Sequence, residues 1–257
     1  MKRILITGLA LFTIMSACKK TNYADPIADV DYASSGNTAY LKINFLSAYK
    51  SNPSVQIKVN GERVSNLITS RTPFPGGGYN TGGGNSPDFL PVKRGSNDLS
   101  ISIPNKGANT DSVILYSGVV NTPEGRNHYT VHITDTAAMV RAVTFEEATE
   151  AYDTSRPLFT FVNMMPNVPA IDLYYGSILV ASNVAYLDRS TTFWVSPLAP
   201  QSTWAIRQSG SAPGSTALAT YSSASTITKG KVYTAFASGY KGATDTRKPY
   251  ISFMLIR

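Results

Sequence analysis

Cysteine is all but missing from this 257-residue chain: Cys18 stands alone, which excludes a disulfide framework within the chain. Charge is sparse as well, at 15% of residues against 42% hydrophobic. That balance supplies enough apolar surface for a real core and excludes collagen, a coiled coil and wholesale disorder. With only two histidines and one cysteine, a Cys/His zinc site and a catalytic Cys–His pair fall away. No Gly-x-Ser-x-Gly elbow is present, and a Ser–His–Asp triad would have to use a strand histidine without motif support. The net charge of +7 invites nucleic acid as a partner, yet no basic run exceeds two residues and no basic helix occurs, so that partner is set aside.

What is present begins with an export pattern. Lys2 and Arg3 form a positive start, Ile4 to Met15 an almost uncharged apolar stretch of twelve residues, and Ser16-Ala17 the small pair that a peptidase needs. Twelve residues span only about 18 Å as a helix, short of a ~30 Å bilayer core, so residues 1–17 read as a signal peptide. No later run approaches 18 apolar residues. Met15-Ser16-Ala17-Cys18 resembles the lipobox of bacterial lipoproteins, with Met15 in place of the usual Leu. The resemblance implies cleavage before Cys18, acyl chains such as palmitate on that residue, and a membrane anchor, since each buried CH₂ adds ~0.8 kcal/mol. Residues 18–37 lack hydrophobic periodicity and read as a tether. Its Asp25, Asp29 and Asp31 lack the Gly and closing Glu of a calcium loop.

Beyond the tether the period is two. Leu41, Ile43 and Phe45 alternate with Lys42 and Asn44; Val55, Ile57 and Val59 with Gln56 and Lys58; and Ile251, Phe253 and Leu255 close the series. Such alternation predicts half-buried strands, and the turn signals between them (Asn60-Gly61, Tyr175-Gly176, Lys229-Gly230) predict an all-β chain of antiparallel sandwiches. The one helix-like run, residues 146–152, is short and has no wide apolar face. The chain also echoes itself. Leu41-Lys-Ile-Asn-Phe is repeated as Leu158-Phe-Thr-Phe-Val, Pro53 to Gly61 as Pro169 to Gly176, and Gly125 to Val131 as Lys229 to Ala235. The expected organisation is therefore a first β-sandwich domain at 38–146, a linker at 147–156 and a second β-sandwich domain at 157–257.

Asn163-Met-Met-Pro-Asn-Val-Pro-Ala-Ile-Asp-Leu-Tyr-Tyr-Gly, continuing through Ser177 to Tyr186, resembles the core signature of the bacterial domain-of-unknown-function family numbered 4397. The resemblance covers the second unit well and the first less well, with Gln56 where Asp172 stands and a long insertion after Leu67. It implies tandem immunoglobulin-like sandwiches and an extracytoplasmic location, and brings no activity with it.

Candidate sites are few. His128 and His132, four apart on a strand, would stand about 13 Å from each other, too far to share one metal ion, and are expected to face solvent. Asp172 should leave the inner face and bond to a neighbouring turn. The segment 71–91 carries two Gly triplets without the Gly-Lys-Ser/Thr of a phosphate loop. It reads either as a flexible hairpin tip or as a binding loop presenting Phe74, Tyr79 and Phe89. Trp194 is expected to point outward if Phe193 and Val195 point in, either as a candidate ligand-binding ring that stacks on a sugar or anchors a protein partner, or packed against the other sandwich. Trp204 is expected to lie in the core. No cofactor, metal site or catalytic residue is nominated. These features predict a non-catalytic binding or scaffolding module, lipid-anchored at Cys18 in the cell envelope, at the outer membrane, with a glycan or protein ligand. An envelope hydrolase using paired carboxylates is the alternative, although the sequence singles out no pair. Removing Lys2 and Arg3 leaves a formal charge of +5, most of it in residues 157–257, which hold eight basic and three acidic residues. A basic unit of that kind suits anionic envelope polymers.

Overall fold

The computed structural model describes residues 36–257 other than 109, 126, 148–152 and 197–201. The expected signal peptide, Cys18 and the expected tether up to residue 35 lie outside the described residues. All regular structure in them is strand, apart from two short 3₁₀ turns. The first half contributes β1 (Thr38–Phe45), β2 (Gln56–Val59), β3 (Glu62–Arg63), β4 (Gly78–Tyr79), β5 (Leu90–Lys93), β6 (Gly95–Pro104), β7 (Asp111–Thr122), β8 (His128–Thr134) and β9 (Arg141–Glu146). The second contributes β10 (Leu158–Asn163), β11 (Ala170–Tyr175), β12 (Ile178–Ala185), β13 (Phe193–Trp194), β14 (Trp204–Gln208), β15 (Ala219–Tyr221), β16 (Val232–Ser238) and β17 (Tyr250–Leu255).

The duplication read from sequence is a duplication of topology. The first half pairs its strands in the orders β5-β1-β8-β9 and β3-β2-β6-β7; the second in the orders β13-β10-β16-β17 and β12-β11-β14-β15. Each half departs from a purely antiparallel sandwich in one pair of its strands, because β1 runs parallel to β8 and β10 parallel to β16. These ladders also correct the alignment of the repeats. Leu41 pairs with Tyr129 and Phe159 with Tyr233, so Leu41 corresponds to Phe159 and not to Leu158. A slip of one residue exchanges the faces of a strand, and Leu158 indeed packs on the face opposite to Phe159.

Three apolar layers follow from the alternation. Leu41, Ile43, Ile57, Ile101 and Val131 fill the first sandwich; Phe159, Phe161, Leu173, Trp204 and Phe253 fill the second. Between them Leu46, Leu158, Val162, Val232, Phe236 and Met254 form a further cluster joined by Phe145 of β9. This middle layer belongs to the outer faces of the β1-β8-β9 and β10-β16-β17 sheets, and the described residues form one compact unit.

The covered face holds polar groups that alternation alone assigns to water. Lys42, Asn44, Thr130 and His132 are fully buried. The Lys42 ammonium donates to the Pro75 carbonyl at 3.1 Å and lies 4.6 Å from the centre of the Phe89 ring. Burial pulls its pKa down to about 8, with Glu147 and Asp88 opposing that shift. Glu147, the first residue of the expected linker, is itself inside the layer and accepts from the Thr234 hydroxyl at 3.0 Å. Burial raises its pKa, with the Thr130 and Thr234 hydroxyls, Arg189 and Lys42 pulling it back.

The glycine-rich insertion is a strap across this seam. Its β4 adds to the edge of the second half's sheet, Tyr79 opposite Phe253 and Gly78 opposite Met254. The Asn80 amide donates to the Ile251 carbonyl at 2.7 Å, and the Ser252 hydroxyl to the Asn80 carbonyl at 2.6 Å. The first triplet is there for closeness and not for looseness: a Cβ on Gly77 would collide with the Gly84 carbonyl, and one on Gly78 with the Phe253 carbonyl. Gly78→Ala should therefore cost about 1–3 kcal/mol by overpacking, read as a lowered denaturant midpoint. A variant within 0.5 kcal/mol of the parent, by the same rough scale, would show that β4 pairing contributes little.

Candidate functional site

Where the strap leaves β1 and returns along β17, it encloses a pocket of about 240 Å³. Residues 69–71, Thr81 and Gly82 supply one wall, Ser238, Gly239 and Tyr250 the other, and Leu46, Ala48 and Asn52 the floor and rim. Arg71 is held by its backbone, its N–H donating to the Phe45 carbonyl at 2.9 Å and its carbonyl accepting from the Gly82 N–H at 2.9 Å. It sits at φ 63°, in the left-handed region where a Gly or Asn would be the ordinary choice.

That side chain is a half-buried guanidinium lying 3.5 Å from the centre of the Tyr250 ring. One Nη1–H donates to the Asn80 carbonyl at 2.9 Å. Among the described residues no carboxylate forms an ion pair with it, and none of the residues lining the pocket is acidic. Burial lowers its pKa, with Tyr250 opposing; an arginine nonetheless stays protonated. The hydroxyl oxygens of Ser70, Thr81 and Ser238 are sealed inside the pocket wall without a hydrogen-bond partner, out of contact with the open space of the pocket. A buried polar atom left unpaired costs about 1–3 kcal/mol. What the pocket offers an occupant is therefore the Arg71 guanidinium and not these three oxygens.

Of the residues singled out by sequence, only the strap that carries Arg71 and Thr81 reaches this pocket. Its aromatic rings go elsewhere, each into a different cluster: Phe74 into the first sandwich, Tyr79 into the second, Phe89 into the layer between. The strap is thus neither a loose tip nor a displayed loop. Trp194 is half-buried against that middle layer, with the Arg156 guanidinium 4.4 Å from its ring. The four rings do not meet at one surface. Trp204 lies fully buried in the second core, its indole N–H donating to the Thr226 hydroxyl at 2.9 Å.

The histidines are corrected as well. His132 is fully buried, 3.1 Å from the Asn44 amide and edge-on to Phe145 and Phe236; His128 is wedged between Tyr40 and Phe89. The expectation of a solvent-facing pair fails because a second sheet covers their face. Among the described residues no group of three or more His, Cys, Asp and Glu stands together to hold a metal ion. Asp172 does take a turn-holding role: its oxygens accept from the backbone N–H of Asn183 at 2.7 Å and of Gly210 at 3.3 Å. Asn163 ties its own Pro-rich turn, donating to the carbonyls of Val168 and Val184 and accepting from the Met165 N–H. Asp111 is held by Lys58, Gln56 and Ser102, which bring its pKa down to about 2.

A family model described as "Domain of unknown function (DUF4397)" matches residues 41–174, just over half of the chain. The match runs from β1 into β11, so it rests mainly on the first half and overlaps the signature quoted above only at residues 163–174. Among solved structures, CBMbc (family CBM26) from Eubacterium rectale Amy13K, in complex with maltoheptaose, is similar over 82% of this chain and 100% of that chain. The identity is 10% and the TM-score 0.21, a likeness too slight to transfer either fold or ligand. No curated protein matches the chain.

Proposed function

Because the chain belongs to the DUF4397 family, a family without an assigned activity, its role has to be read from its own residues, and we propose that it is a non-catalytic binding module of the bacterial cell envelope. In this reading Cys18 carries the lipid that holds it at the outer membrane, and the strap pocket takes an envelope-derived ligand. The observation that carries the reading is the pocket itself: a half-buried guanidinium without a carboxylate partner among the described residues, in a cavity whose walls come from both halves of the chain. Such sites bind by a few convergent polar groups in a preformed cavity. Asp172, Asp111 and Glu147 bond to backbone N–H groups, to lysine and to a hydroxyl, which supports binding over hydrolysis.

The test uses fractionated cells and isolated envelope polysaccharide. Cys18→Ser should move the protein from the membrane to the soluble fraction and abolish acyl labelling; persistence of both would remove the anchor from the proposal. Thr81→Tyr, which fills the pocket, should leave membrane association intact and lower retention on the polysaccharide tenfold or more. Equal retention of the parent and Thr81→Tyr would take the binding role away from this pocket.

A further inference from the structure

We propose that β7 is a docking edge for a second copy of this chain, the two β7 strands pairing antiparallel about a two-fold axis at Val119. An edge strand carries a row of backbone N–H and C=O groups with no neighbour on one side. Proteins ordinarily blunt such edges by keeping them short, charged, bulged or covered. The four sheets of the described residues have eight edges, and seven are blunted in these ways. β3, β4 and β13 have two residues each, β15 three, and β5 four, with Pro91 and Lys93 among them. β9 carries Arg141 and Glu146, and the Glu146 carbonyl accepts from the Arg189 guanidinium. β12 is eight residues long, but two register shifts break its ladder with β11, and Asn183, at φ 51°, gives its N–H to Asp172.

The remaining edge is β7. It runs for twelve residues, where the strand in the same place of the second half, β15, stops after three. Register shifts interrupt its first turns of the ladder and leave residues 116–122 in unbroken pairing with 95–101. Among the described residues, no backbone group of 116–122 is bonded outside the β6 ladder. No charged residue and no proline lies in 112–122. Val120 turns into the first core, so Val119 stands on the outer face, where it is 58% exposed; Val113 and Ile114 are exposed as well.

The occupant follows from this pattern. What fits a row of free backbone groups is another strand, and an identical strand laid antiparallel makes an isologous contact that closes at two subunits. With the axis at the middle of the unbroken stretch, Val119 meets its own copy, each Ser117 faces the other copy's Asn121, and each Gly118 the other copy's Val120. No like charges are brought together. Asp98, opposite Val119 on β6, ends about 14 Å from its copy, three strand spacings of ~4.8 Å, beyond the ~8 Å screening length. A seven-residue antiparallel pair forms about six to eight backbone hydrogen bonds, within the roughly 10 ± 5 of a standard interface.

The experiment places single cysteines in the full chain, oxidises cells that express it with copper phenanthroline, and reads non-reducing gels. The parent, with Cys18 alone, gives the background. Val119→Cys should convert most of the protein to a disulfide dimer of twice the chain mass. Directly opposed strand residues have Cα atoms about 4.5–5.5 Å apart, within disulfide reach. Asn121→Cys, two residues on and on the same face, should cross-link at least tenfold less, because its copy stands about 13 Å along the strand. Leu179→Cys on β12 should stay at background. Purified in detergent, the parent should sediment as a dimer. Val119→Lys, which sets two ammonium groups on the axis, should weaken that dimer tenfold or more and leave the circular dichroism unchanged. Equal cross-linking from Val119→Cys and Asn121→Cys would overturn the two-fold at Val119. A Val119→Cys adduct of any other mass would assign the edge to a different protein and overturn the second copy. Background cross-linking from Val119→Cys, or a monomer at every concentration, would overturn the dimer.

Discussion

Between pH 7 and pH 4 the burial of His132 should remove about 3 kcal/mol of stability. The ring is fully enclosed between the β1-β8-β9 and β10-β16-β17 sheets, and burial, with Arg189 adding to it, brings its pKa down from 6.5 to about 3. In the unfolded chain the imidazole takes up its proton near 6.5. In the folded chain it resists until about pH 3. The unfolded state therefore binds more protons across that window, so stability is full above 6.5 and declines as the pH falls towards 3. Glu147, whose pKa is raised by the same burial, works in the other direction: its cost is present at neutral pH and is relieved on acidification. The total curve mixes the two, and the measurement is accordingly a difference. Urea midpoints of the parent and His132→Gln, taken from pH 7 to pH 4, should draw apart by the stated amount with the parent falling faster. Parallel curves would show that His132 does not stay neutral in the fold.

Phe159→Ala should cost about 3–5 kcal/mol, the upper range for truncating a buried ring. Phe159 is fully buried at the hub of the second sandwich. It stacks on Phe193 at 5.5 Å and Tyr233 at 5.2 Å, tilts against Trp204 at 5.1 Å and meets the edge of Phe253 at 6.4 Å. Removing it strips partners from four rings at once, and strands on both sides of the cavity are fixed by their ladders, so the site has little freedom to collapse. Phe159→Leu, which refills most of the volume, should recover more than half of the loss. Both are read from denaturant unfolding followed by tryptophan fluorescence. A cost under ~1 kcal/mol for Phe159→Ala, where a surface substitution stays within ±0.5, would show that this hub does not hold the sandwich together.

These residues also mark how far sequence reading reaches. Trp204 shares parity with Ile206 and is buried with it, because alternation along one strand is a local property. The same rule misplaces Lys42, Asn44 and His132. It assigns them correctly to the face opposite Leu41 and Val131, but cannot say that this face meets another sheet. The echo between halves is visible at the turn glycines Gly61 and Gly176, both at positive φ, whereas its register along β1 and β10 is off by one until the ladders are seen. Arg71 carried no signal beyond being one of several scattered arginines. Its value comes from Tyr250 and Ser238, which the chain brings to it only after the second sandwich has formed.

The sequence by itself determined that this is an all-β, duplicated chain with a lone cysteine placed after an export-like start, because strand period, turn glycines and composition are properties of short segments. The tertiary structure decided the rest. Which polar face is dry, why Gly77 and Gly78 must be glycines, and which ring covers the Arg71 guanidinium all depend on backbones and side chains far apart in the chain. Contacts of that range arise from packing one sheet on another, and no local pattern encodes them.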